Sequence, residues 1–164
     1  MLGKILDTGC NGLRVLLGCL VGALTIPVAM QVIARYTGII PVYLWTEELS
    51  TFIFVWVVMT GSVIAVWDGT HFDVQVIPEA KNRVMRLIQR TIVLGSVAIF
   101  GIYFANHGVE YVEFGLIQKS VMMQANMAIT FVTVPLAGTL WTVFSLYRLY
   151  EAILEFPSPS EVTS

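Results

Sequence analysis

The sequence predicts an all-α integral membrane protein with four transmembrane helices. Of its 164 residues, 57% are hydrophobic and only 12% are charged, about half the charged share of a typical soluble domain. Four uncharged stretches follow one another, at 15–34, 49–67, 91–109 and 120–147. Each is long enough to cross the hydrocarbon core of a bilayer, which takes about 20 residues.

The basic residues predict the orientation. Seven of them fall on one side of the four spans and two on the other, Arg35 and Lys119. The seven are Lys4, Arg14, Lys81, Arg83, Arg86, Arg90 and Arg148. Because Lys and Arg concentrate in cytoplasmic loops, we expect both termini and the central loop in the cytoplasm. The net charge of −2 argues against a nucleic-acid partner, which selects a basic surface.

We expect one four-helix transmembrane domain over residues 1–156 and a disordered polar tail at 157–164. The predicted spans are about 13–35, 47–67, 87–107 and 126–148. Between spans two and three, a basic amphipathic helix should begin at Pro78. Its arginines, Arg83, Arg86 and Arg90, should lie with His71 at the cytoplasmic phospholipid headgroups.

Arg35 closes the first span, and Glu47 and Glu48 open the second. A tight turn between antiparallel helices would bring these charges to one depth, where an arginine favours a carboxylate partner. The alternative is that the glutamates only stabilise the N-terminus of their helix. Glu48 falls on a bulky apolar face, so Glu47 is the better candidate for a contact within or between subunits.

A stripe of the second span is the predicted subunit interface. It carries Glu47, Thr51, Phe54, Val58, Gly61 and Ala65 at steps of four and three. Small residues let membrane helices approach closely, and Trp45 and Trp56 add large surfaces nearby. We therefore expect Trp45, Thr51, Trp56, Gly61 and Ala65 to contact a partner protein.

No residues suggest catalysis or a cofactor. The two histidines, His71 and His107, stand near opposite membrane edges, so they could not ligate one haem together. The span centres lack the ionisable residue that a proton-coupled exporter would need. We expect no catalytic, metal or substrate-binding residue in this chain.

One segment is distinctive enough to identify a family. It runs through Arg35, Trp45-Thr46-Glu47-Glu48-Leu49, Val55-Trp56, Gly61, Ala65, Gly69-Thr70-His71 and the basic stretch from Pro78 to Arg86. With Pro135-Leu136-Ala137-Gly138 and Arg148 in span four, it resembles the small membrane subunit (DctQ-type) of tripartite ATP-independent periplasmic (TRAP) transporters. A proline common earlier in that span is replaced by Asn126-Met127.

The resemblance implies a sodium-driven uptake system for organic acids such as dicarboxylates. Its partners would be a large membrane subunit (DctM-type), which carries the substrate, and a periplasmic substrate-binding protein. The small subunit would act as a scaffold that braces the large one in the bacterial inner membrane. Two other interpretations remain open: a membrane anchor of a respiratory or redox complex, and the small subunit of a tripartite tricarboxylate transporter.

Overall fold

The computed structural model describes residues 2–38, 41, 43–69 and 83–154. These residues form five helices. They are α1 (Leu2–Thr37), α2 (Leu44–Asp68), α3 (Arg83–Ile117), the single turn α4 (Ala128–Phe131) and α5 (Thr133–Leu154). Four segments are long and apolar enough to cross a membrane: Leu6–Thr37, Leu44–Asp68, Val84–Ile117 and Ala128–Leu154. The predicted all-α membrane fold with four spans is confirmed.

The helices extend beyond the predicted spans. Helix α1 begins at Leu2 rather than near residue 13, and α3 continues to Ile117 rather than ending near residue 107. A charged residue ends the apolar stretch that predicts a span, but it does not end the helix. The described basic residues also belong to α3, which runs unbroken from Arg83 into the third span.

Some expectations fall outside the described residues. These include His71 and the start of the basic helix at Pro78, which lie within residues 70–82, and the tail at 157–164. The described part of the central region therefore shows the first turns of α3 only.

The four long helices pack in the spatial order α1, α2, α5, α3. Helices α1 and α2 are antiparallel, since Gln31 meets Ser50 near one end and Arg14 meets Asp68 near the other. Helices α2 and α5 run parallel. Trp56 of α2 contacts Ile129, just before α5, and Trp67, further along α2, contacts Phe144, further along α5. The layer places α2 and α5 in its middle and leaves α1 and α3 at its edges.

The seam between α2 and α5 holds the main buried cluster. Val63 and Val66 of α2 pack with Ala137 and Phe144 of α5, all at most 3% exposed. The Trp67 ring lies 5.0 Å from the Phe144 ring and also stacks on Tyr147. Bulky side chains fill this seam, so the two helices are joined by side-chain packing.

Helices α3 and α5 approach much more closely. Gly101, Gly108 and Gly115 are buried on one face of α3, seven residues apart. A Cβ atom at Gly138 of α5 would lie 2.6 Å from the backbone nitrogen of Ala105 and 2.7 Å from the carbonyl oxygen of Gly101. The two backbones are therefore in direct contact, as is typical of glycine-lined crossings in membranes.

Candidate functional site

The N-terminal turns of α2 meet a hairpin formed by residues 118–127. One carboxylate oxygen of Glu48 accepts a hydrogen bond from the backbone N–H of Met122 at 3.0 Å, and the other accepts one from Met123 at 2.9 Å. A carboxylate binds backbone donors more strongly than a neutral acceptor does. Glu48 therefore holds the hairpin onto α2, and we call this end of the layer the Glu48 end.

The hairpin has its own backbone hydrogen bonds. The N–H of Ser120 donates to the Ala125 carbonyl at 2.8 Å, and that of Met127 donates to the Gln118 carbonyl at 3.1 Å. Gln124 adopts the left-handed conformation (φ 53°) that closes the turn. These bonds leave the N–H groups of residues 122 and 123 at the tip, where Glu48 accepts them.

Arg35 does not join this arrangement. Its side chain is exposed, and the ion pairs among the described residues are Arg14–Asp68 and His107–Glu110. The α1–α2 register does bring Arg35 to the depth of the glutamates, as the sequence suggests. Within the chain, however, the carboxylate in contact is that of Glu48, and its partners are backbone N–H groups. The sequence pattern of α2 favours Glu47 because the pattern of one helix contains no information on the hairpin at 118–127, which supplies the partner of Glu48.

Two polar contacts fix α1 against α2. The amide of Gln31 donates to the hydroxyl of Ser50 at 3.0 Å in the half nearer the Glu48 end. At the opposite end, the guanidinium of Arg14 contacts the carboxylate of Asp68 at 2.5 Å. Both side chains of this pair are partly exposed. Exposed ion pairs contribute about 0–1 kcal/mol, so this pair contributes to the register more than to the stability.

The side chain of Trp56 makes a hydrogen bond within the subunit. Its indole N–H donates to the carbonyl of Ile129 in α4 at 3.0 Å. Trp45 is instead exposed at the start of α2 and lies against Tyr43, with ring centroids 6.2 Å apart. Of the two tryptophans assigned to an interface from the sequence, Trp45 is therefore the one left accessible to a partner.

Helix α2 has one open face. Apart from its end residues, the exposed side chains along it are Glu47, Thr51, Phe54 and Val58. All other residues between 46 and 67 are buried or half-buried. These four residues are the first part of the stripe identified from the sequence, and we call them the open stripe.

The second part of the stripe faces α1. A Cβ atom at Gly61 would lie 3.9 Å from the side chain of Leu17, and Ala65 is half-buried. Gly61 therefore helps α1 and α2 to pack together.

The basic residues of α3 lie in the first turns of a membrane-spanning helix, and their contact with lipid headgroups stays a prediction. Arg86 and Arg90 are exposed, while the side chain of Arg83 lies outside the described part of the structure. Among the described residues, no group of three His, Cys, Asp or Glu side chains is placed to hold a metal ion. The arrangement offers surfaces for packing against a protein or lipid.

The α3–α5 crossing and the Glu48 contact were not anticipated from the sequence. A signal for the crossing was present, since Gly101, Gly108 and Gly115 recur at every seventh residue and seven residues make about two helical turns. The Glu48 contact had no comparable signal, because it joins a side chain to backbone groups about 75 residues away.

Comparison with protein families identifies a family for this chain. The family model described as "Tripartite ATP-independent periplasmic transporters, DctQ component" matches residues 24–155. The matched segment takes in α2, α3, α4, α5 and the second part of α1, and so includes the open stripe and the Glu48 contact. No curated protein matches the chain.

Proposed function

Because the chain belongs to the DctQ component family of tripartite ATP-independent periplasmic transporters, we propose that it braces the large membrane subunit (DctM-type) of a sodium-driven uptake system. It is a multi-pass protein of the inner membrane and a transporter component. Of the three interpretations of the sequence, the family match supports the small subunit of a TRAP transporter. The sodium coupling, the organic-acid substrate and the periplasmic binding protein are what the family resemblance implies. The proposed orientation has both termini in the cytoplasm, so the Glu48 end faces the periplasm.

The open stripe is the observation that supports the bracing role. It lies on a central helix of the layer, where α2 is otherwise packed over most of its circumference. Phe54 and Val58 are about half exposed at its middle, at a depth where lipid gives little hydrophobic driving force and association depends on close packing. A helix of the large subunit seated on these residues would complete the packing of α2.

The charges are consistent with a supporting role. The span centres carry no ionisable residue, so this chain offers no charged group at mid-membrane to bind a substrate anion or a coupling ion. We assign those groups to the large subunit. Arg35 has no ion-pair partner among the described residues, so we propose that a carboxylate of the large subunit pairs with it in the assembled complex.

The test is a paired truncation of the open stripe. In Phe54→Ala/Val58→Ala, we expect the chain to insert and fold, because both residues are exposed within the subunit. Co-purification of the large subunit in mild detergent should fall about tenfold, because interface anchors typically contribute more than about 1 kcal/mol each. Uptake should fall with it.

The matched control is Ile99→Ala/Phe100→Ala. These two side chains are at least as exposed, on the edge helix α3, and their truncation should leave co-purification unchanged. An equal loss in both variants would show that the partner does not select the open stripe. Full recovery of the large subunit with the first variant would contradict the proposed interface.

A further inference from the structure

A cavity of about 570 Å³ lies at the Glu48 end, between the first turns of α2 and the 118–127 hairpin. Its size is in the range of small-molecule sites, about 300–1,000 Å³. Its lining includes Glu47 and Glu48 of α2 and Lys119 and Val121 of the hairpin. The cavity thus combines apolar residues with charges of both signs.

The two glutamates of the cavity have different roles. Both oxygens of Glu48 already accept backbone N–H groups of the hairpin. Glu47 is exposed and has no ion-pair partner among the described residues. The carboxylate available to a ligand is therefore that of Glu47.

Lys119 supplies the opposite charge. It is exposed, and no carboxylate of the described residues is paired with it. Its backbone pairs with Asn126 across the hairpin, and Glu48 fixes that hairpin to α2. Glu47 and Lys119 therefore line one cavity from two connected segments, α2 and the hairpin.

The depth of the cavity points to the membrane boundary. It lies where α2 begins and α3 ends, which is the level of the headgroups for helices that span the bilayer. Beside it, Ile117 is 85% exposed and Val121, a lining residue, is 76% exposed. Large apolar side chains so exposed beside a charged cavity fit an amphiphile with a zwitterionic head and an acyl chain.

We propose that this cavity binds a phospholipid with a primary ammonium headgroup, with the ammonium on Glu47 and the phosphodiester on Lys119. A primary ammonium donates three hydrogen bonds and so suits a carboxylate. A choline headgroup has no N–H donor and would lose this contact while keeping the phosphate contact. The site therefore prefers phosphatidylethanolamine to phosphatidylcholine. Of the open stripe, Glu47 and Thr51 line this cavity and Phe54 and Val58 do not, so the lipid leaves the middle of the stripe to the large subunit. The inference concerns only lipid bound to this chain and does not depend on the proposed transport role.

The test is native mass spectrometry of the full chain with each lipid added in turn. We expect phosphatidylethanolamine to be retained about fivefold more than phosphatidylcholine, roughly the contribution of one partly exposed charge-assisted hydrogen bond. Glu47→Gln should remove this preference. Lys119→Gln should weaken both lipids and leave the preference in place.

Glu113→Gln is the control, because Glu113 is an exposed carboxylate of α3 outside the cavity lining. It should keep the wild-type preference. Soluble glycerophosphoethanolamine at equal concentration should not displace the lipid, because it lacks acyl chains. Equal retention of the two lipids by the wild-type chain, an unchanged preference in Glu47→Gln, or displacement by the soluble headgroup would overturn the proposal.

Discussion

Gly138→Ala is expected to destabilise the subunit by about 2 kcal/mol or more, in the upper range for inserting a methyl group into a packed core. The new Cβ atom would stand 2.6 Å from the nitrogen of Ala105 and 2.7 Å from the oxygen of Gly101. Both are backbone atoms, so relief requires that α3 and α5 move apart. Thermal unfolding in mild detergent should show a midpoint lower by roughly 5 °C.

Gly95→Ala is the control for this effect. Gly95 also lies in α3, and a Cβ atom there would meet nothing within 4 Å. Alanine favours a helix over glycine by about 1 kcal/mol, so this variant should be as stable as the wild type or slightly more so. Gly101→Ala, at the other side of the crossing, should follow Gly138→Ala. If Gly138→Ala and Gly95→Ala behaved alike, the close crossing would be wrong.

Glu48→Ala is expected to release the 118–127 hairpin from α2. Both carboxylate oxygens are lost, and the N–H groups of Met122 and Met123 lose their acceptors. Hydrogen exchange of these two amides should accelerate by about tenfold or more, because local opening of the hairpin then meets less resistance. In Glu48→Gln, the exchange rates should lie between those of the wild type and of Glu48→Ala, since the glutamine amide keeps one acceptor oxygen.

Glu47→Ala distinguishes this contact from a general effect of charge at the start of the helix. Glu47 lies one residue earlier and gains from the same helix dipole, but it bonds none of the hairpin amides. Its removal should leave their exchange rates unchanged. The sequence alone favours Glu47 for a contact within or between subunits, whereas the structure gives the hairpin contact to Glu48, so this pair of variants separates the two glutamates.

The membrane fold was predictable because the bilayer constrains it strongly. Apolar stretches of about 20 residues and the required pairing of backbone groups leave few alternatives to spanning helices. The open stripe was also predictable, since Glu47, Thr51, Phe54 and Val58 recur at helical spacing. The pattern could not show which part of the predicted stripe is exposed and which part packs against α1. Gly61 is covered by Leu17, which belongs to another helix.

The contacts between distant segments could not be predicted from the sequence for a related reason. Glu48 bonds to backbone N–H groups, and a backbone amide has no residue type to recognise. Gly101 and Gly138 are recognisable as small, but their pairing depends on the packing order α1, α2, α5, α3. The pattern of one helix identifies the face that can be approached, and tertiary structure selects the helix that approaches it.

The most direct test of the bracing role is uptake of a radiolabelled organic acid into proteoliposomes under a sodium gradient, with excess binding protein. Three preparations are compared: this chain alone, the large subunit alone, and both together. We predict uptake only when both are present. Uptake by this chain without the large subunit would contradict the account, and so would undiminished uptake by the large subunit alone.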